Sequence, residues 1–311
     1  MRRSIVKVGV LNIIMAPPHS PQRYIELLKK AFALKNIISL RADYQGMLGS
    51  CQSDSSLGQE ILTGTIYKFI NIDIKGRWFN INESRPAAPT DLNEVHVPDH
   101  LKPNLSIFHY LFNPNNHKII FINKFKNSTL PHNMVKKLFY ELLNKEELIA
   151  EYGFIDIIIE PQRETLQTIL EMPILKTLYI EVIPPNPDFP DEEEEEEIFR
   201  RLTGQRAIKM TTELTSGKDG LAPDDITKKI ARVAQSNGKV RGHGFNLEGK
   251  ALNESTTDHP FIYIMEVPSH QSISDTLKER LTDIFNILKR KYINWNFPPF
   301  FIKPKMKQKK C

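Results

Sequence analysis

The sequence predicts an α+β protein: a mixed or antiparallel sheet domain with packed helices, followed by a smaller α+β domain. Three observations carry this. β-rich runs, some of them alternating with period 2, come in neighbouring pairs with turn signals between them, helical apolar spacings lie between those pairs, and Pro184-Pro185-Asn186-Pro187 marks an edge beyond which the composition changes. The expected organisation is an N-terminal domain over 1–188, an acidic helix or linker over 189–215, a C-terminal domain over 216–297 and a basic tail over 298–311.

The elements follow in order. Val6, Val8 and Val10 alternate within a first strand over 4–15, and Pro21 starts a helix whose apolar spacing runs from Tyr24 to Leu34. A strand between Ile37 and Gly49 precedes a polar loop, Ser50–Ser56. Residues 59–82 read as one long hairpin turning at Lys75-Gly76, and 83–103 as a proline-containing surface crossing. Leu105–Asn113 and Lys118–Phe125 form a second hairpin through Asn113-Pro114-Asn115-Asn116. A helix over 132–151, stopped by Gly153, leads into a strand–helix–strand unit: Ile155–Glu160, 162–172 and Leu175–Ile183. Beyond the proline run, an acid-started helix extends towards Leu214 and a second helix covers 223–236. Val240–Leu247, Lys250–Glu254 and Phe261–Val267 then suggest a small antiparallel sheet, followed by an amphipathic helix over 273–293.

Composition excludes several classes. A 40% hydrophobic content with 17 Phe and 9 Tyr in 311 residues supports a real core and argues against wholesale disorder. No apolar run is long enough for a spanning helix, so no membrane insertion is expected. Lys7 and Asn12 interrupt the N-terminal apolar stretch, which reads better as a strand than as a signal peptide, so a cytoplasmic protein is expected. The two cysteines, Cys51 and Cys311, allow no disulfide framework and have no zinc spacing. No phosphate-binding loop, dinucleotide fingerprint, nucleophile elbow or HExxH motif occurs, and no cofactor is expected. His96 and His100 stand four apart, but Pro98 argues against the helix that shared ligation would need.

One enzymatic pattern is present. Metal-dependent nucleases place an acid on one strand and an acid-x-Lys on the next, where alternation holds the second acid and the lysine on one face. Glu60, Asp73 and Lys75 fit that pattern on the 59–75 segment, and Asp188 with Glu248 and Lys250 is a weaker copy. Short charged patterns of this kind also arise by chance around a turn. No catalytic residue is assigned beyond this alternative.

Basic segments are the stronger feature. His117, Lys118, Lys124, Lys126, His132, Lys136 and Lys137 occur in a stretch without an acid, and Tyr110, Phe112, Phe121 and Phe125 are interleaved with or near them. Such a ridge can track a phosphate backbone, although the aromatic spacing also suits a core. The tail carries Lys303, Lys305, Lys307, Lys309 and Lys310, and no Asp or Glu occurs from Lys289 to Cys311. Asp191 and Glu192–Glu197 make the opposite pole: a favourable helix start, or a phosphate mimic that docks on the tail or ridge and competes with nucleic acid. The formal charge of +5 hides this segregation.

Several stretches carry a resemblance: Lys7-Val8-Gly9-Val10-Leu11-Asn12-Ile13, Trp78-Phe79-Asn80, Leu101-Lys102-Pro103-Asn104-Leu105, Phe108-His109-Tyr110-Leu111-Phe112-Asn113 and Pro184-Pro185-Asn186-Pro187-Asp188. On these the chain resembles an uncharacterised bacterial family known only as a domain of unknown function, of the 4747 type. A shorter stretch is similar to the phage exclusion protein RexA: Ile157-Ile158-Ile159-Glu160-Pro161, Arg163-Glu164-Thr165 and Leu178-Tyr179-Ile180-Glu181-Val182. That resemblance implies a dimeric binder of double-stranded DNA in phage defence or abortive infection. The expected function is therefore sequence-tolerant DNA binding in antiphage defence, as a homodimer. The alternatives are a metal-dependent nuclease and a non-enzymatic adaptor that senses a phage or defence-system protein.

Overall fold

A computed structural model describes residues 3–74, 76–93, 95, 97–184 and 193–289. Strand β1 (Arg3–Met15) is buried on both faces from Val8 onward, so it occupies a sheet centre rather than an edge. Helix α1 (Pro21–Ala33) starts where Ser20 Oγ accepts from the Arg23 amide, with Pro21 pre-set in the first turn. β2 (Ile38–Arg41) and β3 (Tyr44–Asp54) follow. The expected loop at Ser50–Ser56 is strand as far as Asp54, because Ser50–Asp54 pair with the first five residues of β4 (Ile61–Ile70). Ladder hydrogen bonds prevail there over side-chain polarity.

The expected 59–82 hairpin does not form. Both edges of β4 are already taken, by β3 on one side and β7 (Ser106–Asn113) on the other, so the chain after Ile70 leaves the sheet. Among the described residues it makes a two-residue ribbon, β5 (Phe79–Asn80) on β6 (Arg85–Pro86), and the short helix α2 (Pro89–Leu92) before β7. β7 and β8 (Lys118–Phe125) form the expected hairpin, and Asn113 Oδ1 accepts from the amides of Asn115 and Asn116 to shape its turn. β9 (Ser128–Thr129) folds back on β8.

The expected 132–151 helix is two, α3 (His132–Leu143) and α4 (Glu146–Tyr152). Asn144 breaks it: its amide donates to the Tyr140 and Ile155 carbonyls and accepts from the Ile155 amide, competing with the helical ladder. Then come β10 (Ile155–Ile159), α5 (Arg163–Leu170), β11 (Ile174–Val182), α6 (Glu193–Gly204) and β12 (Met210–Thr215), so Leu214 lies in a strand and not in the acidic helix. α7 (Asp225–Ser236), β13 (Gly238–Phe245), β14 (Ala251–Ser255), β15 (Tyr263–Pro268), α8 (Ile273–Glu279) and α9 (Leu281–Lys289) complete the described chain. The single helix expected at 273–293 is divided at Arg280.

Among the described residues the strands make two main sheets. The first runs β10-β1-β8-β7-β4-β3-β2, with β15 also on β1 and β9 on β8; the second runs β12-β11-β13-β14. Every recorded pairing is antiparallel within them, and the protein is α+β. β10 and β11, adjacent in sequence, belong to different sheets, and β15 leaves β13 and β14 to pair with β1. The cores follow this cut. One joins β1–β4, β7, β8, β10, α1, α3 and α4 to β15, α8 and α9; the other joins α5–α7 to β11 and β13. The expected edge at residue 188 therefore divides elements that the pairing joins, since β11 bonds to both β12 and β13.

β7 shows the layers of the first sheet. Tyr110 packs against Phe139 of α3, while the neighbouring His109 lies in the field of Asp275 from α8. Alternate residues thus face helices on opposite sides. His132, at the start of α3, sits over Gly9 and edge-on to Phe121, and its Nε2 lies 3.2 Å from the Phe261 carbonyl oxygen. Burial holds its imidazole below the ordinary histidine value. The neutral form is favoured in the fold, so its stabilisation is complete above about pH 6.5 and is lost as pH falls through the lowered folded value. Urea denaturation of the wild type is expected to show falling stability from neutral pH downward, and His132→Asn to flatten that part of the profile.

Candidate nucleic-acid interface

The nuclease pattern is not assembled. Glu60 precedes β4, accepts from Ser53 Oγ at 2.7 Å and lies 3.8 Å from Lys29 Nζ. Asp73 lies beyond the other end of that ten-residue strand, a span of roughly 30 Å at the usual rise per residue. Because β4 continues to no hairpin partner, nothing returns Asp73 to Glu60. Lys75 and Asp188 lie outside the described residues; Glu248 and Lys250 are exposed at the β13–β14 turn. Among the described residues no three His, Cys, Asp or Glu side chains converge as metal ligands. His96 lies outside them and His100 is exposed.

The basic ridge divides residue by residue. Tyr110, Phe112 and Phe121 are fully buried, and His117 and His132 are buried too, so the interleaved aromatics are core. Lys118 turns inward onto the carboxylate of Glu160, which is 1% exposed and also accepts from Ser236 Oγ at 3.1 Å. Asn12 donates to the Ser236 carbonyl and to Asn237 Oδ1, and Asn237 donates to Glu195. Lys118 thus belongs to a buried polar seam joining the first sheet to α6 and α7. Lys136 is half-buried and faces Asp156 and Lys239; burial pushes its ammonium down and the Asp156 carboxyl up. Lys137 is exposed and lies 3.7 Å from Glu141. Lys303, Lys305, Lys307, Lys309 and Lys310 lie outside the described residues.

Lys124 and Lys126 remain outward, and the register adds a third cation. β1 and β8 pair Val8 with Ile122 but Lys7 with Lys124, so Asn123 is an extra residue, a bulge in β8. Its backbone oxygen and side-chain amide are held by the Leu130 amide and carbonyl at 2.7 and 3.0 Å. The bulge switches the side on which β8 projects, setting Lys124 directly across from Lys7. Lys126 follows at φ 52°, its ammonium 5.0 Å from the centre of the Phe125 ring. None of the three has an ion pair with another described residue. Like charges directly opposite in a sheet cost roughly 0.2–1 kcal/mol. Sequence reading missed Lys7, since its significance depends on a cross-strand register that the bulge sets.

The acidic run is partly engaged inside the fold. Glu194 holds Arg232 of α7 through two hydrogen bonds of 2.9 and 2.6 Å, Glu195 accepts from Asn237, and Glu196 lies 3.6 Å from Arg200. The Glu194 and Glu195 contacts tie α6 to α7 and the residue that follows it, and the Glu196–Arg200 pair lies within α6. Asp191 and Glu192 lie outside the described residues.

The sequence model of a domain of unknown function, DUF4747, matches residues 4–285. The chain belongs to the DUF4747 family. The match reaches from Ser4 in β1 to Phe285 in α9, so the DUF4747 domain includes both sheets and the seam between their cores. No curated protein matches this DUF4747 chain.

Proposed function

We propose that this DUF4747 protein binds DNA through its phosphate backbone without reading sequence, and that it does so in antiphage defence. The observation that carries the reading is the cross-strand Lys7–Lys124 pair with Lys126 beside it, an unfavourable concentration of positive charge that a polyanion relieves. Lysines act on phosphate as point charges, which suits sequence-tolerant contact. The resemblance of 157–165 and 178–182 to RexA supports a duplex target, a homodimer and an abortive-infection setting in the bacterial cytoplasm. The sequence adds further lysines to the same basic balance, Lys137 and those of the tail. The nuclease alternative loses ground because Glu60 and Asp73 sit at opposite ends of β4.

A shift series with duplex DNA, single-stranded DNA and RNA over a range of salt tests this. Duplexes of unrelated sequence are expected to bind alike, with log affinity falling linearly as log salt rises. Salt-insensitive binding, or none at low salt, contradicts the reading.

A further inference from the structure

The second sheet has a helix-covered face and an outer face. Leu178, Ile180 and Val182 of β11 point into the core with α5–α7, so Thr177, Tyr179 and Glu181 project to the other side. The register gives them neighbours. Tyr179 lies between Glu213 and Arg241, Thr177 between Thr215 and His243, and Ser255 and Asn253 of β14 extend the two rows. A solvated antiparallel face is ordinarily polar and open. This one holds a cleft of about 430 Å³, because the connection after β14 brings Thr257 and Asp258 up beside the strands. That volume falls within the range of roughly 300–1,000 Å³ usual for small-molecule sites.

We propose that this cleft binds a nucleotide, its base against the Tyr179 ring and its phosphate on the Arg241 guanidinium. Arg241 is exposed, stands 6.0 Å from the ring centre and has no ion pair with a described residue. Its neighbour Lys239 is already engaged by Glu181 at 3.3 Å, as is Lys209 at 3.5 Å, whereas Arg241 has no such carboxylate among the described residues. A guanidinium fork matches phosphate oxygens in a bidentate fashion. The ring is pre-set: the Tyr179 hydroxyl donates to Glu181 at 2.9 Å, and Lys239 lies 5.6 Å from the ring centre. His243 is fixed as well, with Nδ1 2.7 Å from Asn253 Oδ1 and its ring edge-on to Phe245 at 5.6 Å. Nδ1 donates to that oxygen, which leaves Nε2 for a base or sugar. Asp258 and Thr257 on the facing wall offer acceptors for sugar hydroxyls.

The same chemistry comes from a free nucleotide or from one unit of a single strand. The site shares no residue with the Lys7–Lys124–Lys126 cluster and does not depend on it. Titration calorimetry of the full chain with adenosine monophosphate, and separately with a short oligoadenylate, tests it. At least one probe is expected to bind. Arg241→Ala and Tyr179→Ala are each expected to weaken it about tenfold or more, with the unfolding midpoint kept, since both side chains lie on the outer face. Arg241→Lys, which keeps the charge and loses the fork, should restore only part of the affinity. Binding of the monophosphate assigns a free nucleotide; binding of the oligonucleotide alone, with the same loss in both variants, assigns a strand unit. Two results overturn the proposal: no binding of either probe, or binding that survives Arg241→Ala and Tyr179→Ala and disappears only when Lys7, Lys124 and Lys126 are replaced.

Discussion

Replacing Glu160 with alanine is expected to destabilise the protein by about 3–5 kcal/mol, the cost of leaving one partner of a buried ion pair behind. Glu160 is 1% exposed and the Lys118 side chain 17% exposed, so little water remains to solvate a stranded ammonium. The same carboxylate accepts from Ser236, whose carbonyl accepts from Asn12, so the loss propagates along the seam between the two cores. Urea denaturation with two probes is the measurement. Lys118→Met/Glu160→Met removes both charges and is expected to recover a large part of the deficit. Equal destabilisation in the single and double variants would show that the charge pairing is not what holds the seam. A second unfolding transition in Glu160→Ala would locate the damage at the junction of the sheets.

Lys7→Ala/Lys124→Ala/Lys126→Ala is expected to weaken duplex binding roughly a hundredfold at low salt and to reduce the salt slope by about 2.7, since each phosphate contact contributes about 0.9. These side chains have no described carboxylate partner, so stability should hold or rise. Lys118→Ala, by contrast, should cost stability and leave the slope unchanged, because that ammonium already faces Glu160. The two variants separate lysines that sequence reading grouped as one ridge. Anisotropy titrations at several salt concentrations, alongside thermal melts, give both quantities.

Local signals were legible and long-range partners were not. The β7–β8 hairpin is written in a contiguous stretch, β-rich runs joined by an Asn turn whose side chain makes the turn's own hydrogen bonds. α1 carried its cap and its proline in sequence. Alternation at 61–70 identified a strand but not its neighbours, and pairing with β3 and β7 removed the expected hairpin. Ser50–Asp54 looked like a loop because polar residues on an adequately paired strand do not differ from loop residues by composition. β15 has the pattern of a strand in the second sheet, but its partner is β1, at the far end of the chain. In the site, charge alone identified Lys124 and Lys126. The inward turn of Lys118 depended on an acid forty-two residues away, and the place of Lys7 on a bulge at Asn123.

DNA binding through this cluster is tested most directly by measuring stability and DNA affinity together in Lys124→Glu. On the proposed function, the Lys7–Lys124 repulsion is retained for an anionic partner. Reversing one charge makes the cross-strand pair attractive, worth roughly 0.2–1 kcal/mol. The folded protein is expected to become more stable while duplex affinity and salt slope both fall. Unchanged affinity, or a loss of stability that accompanies the loss of binding, would contradict it.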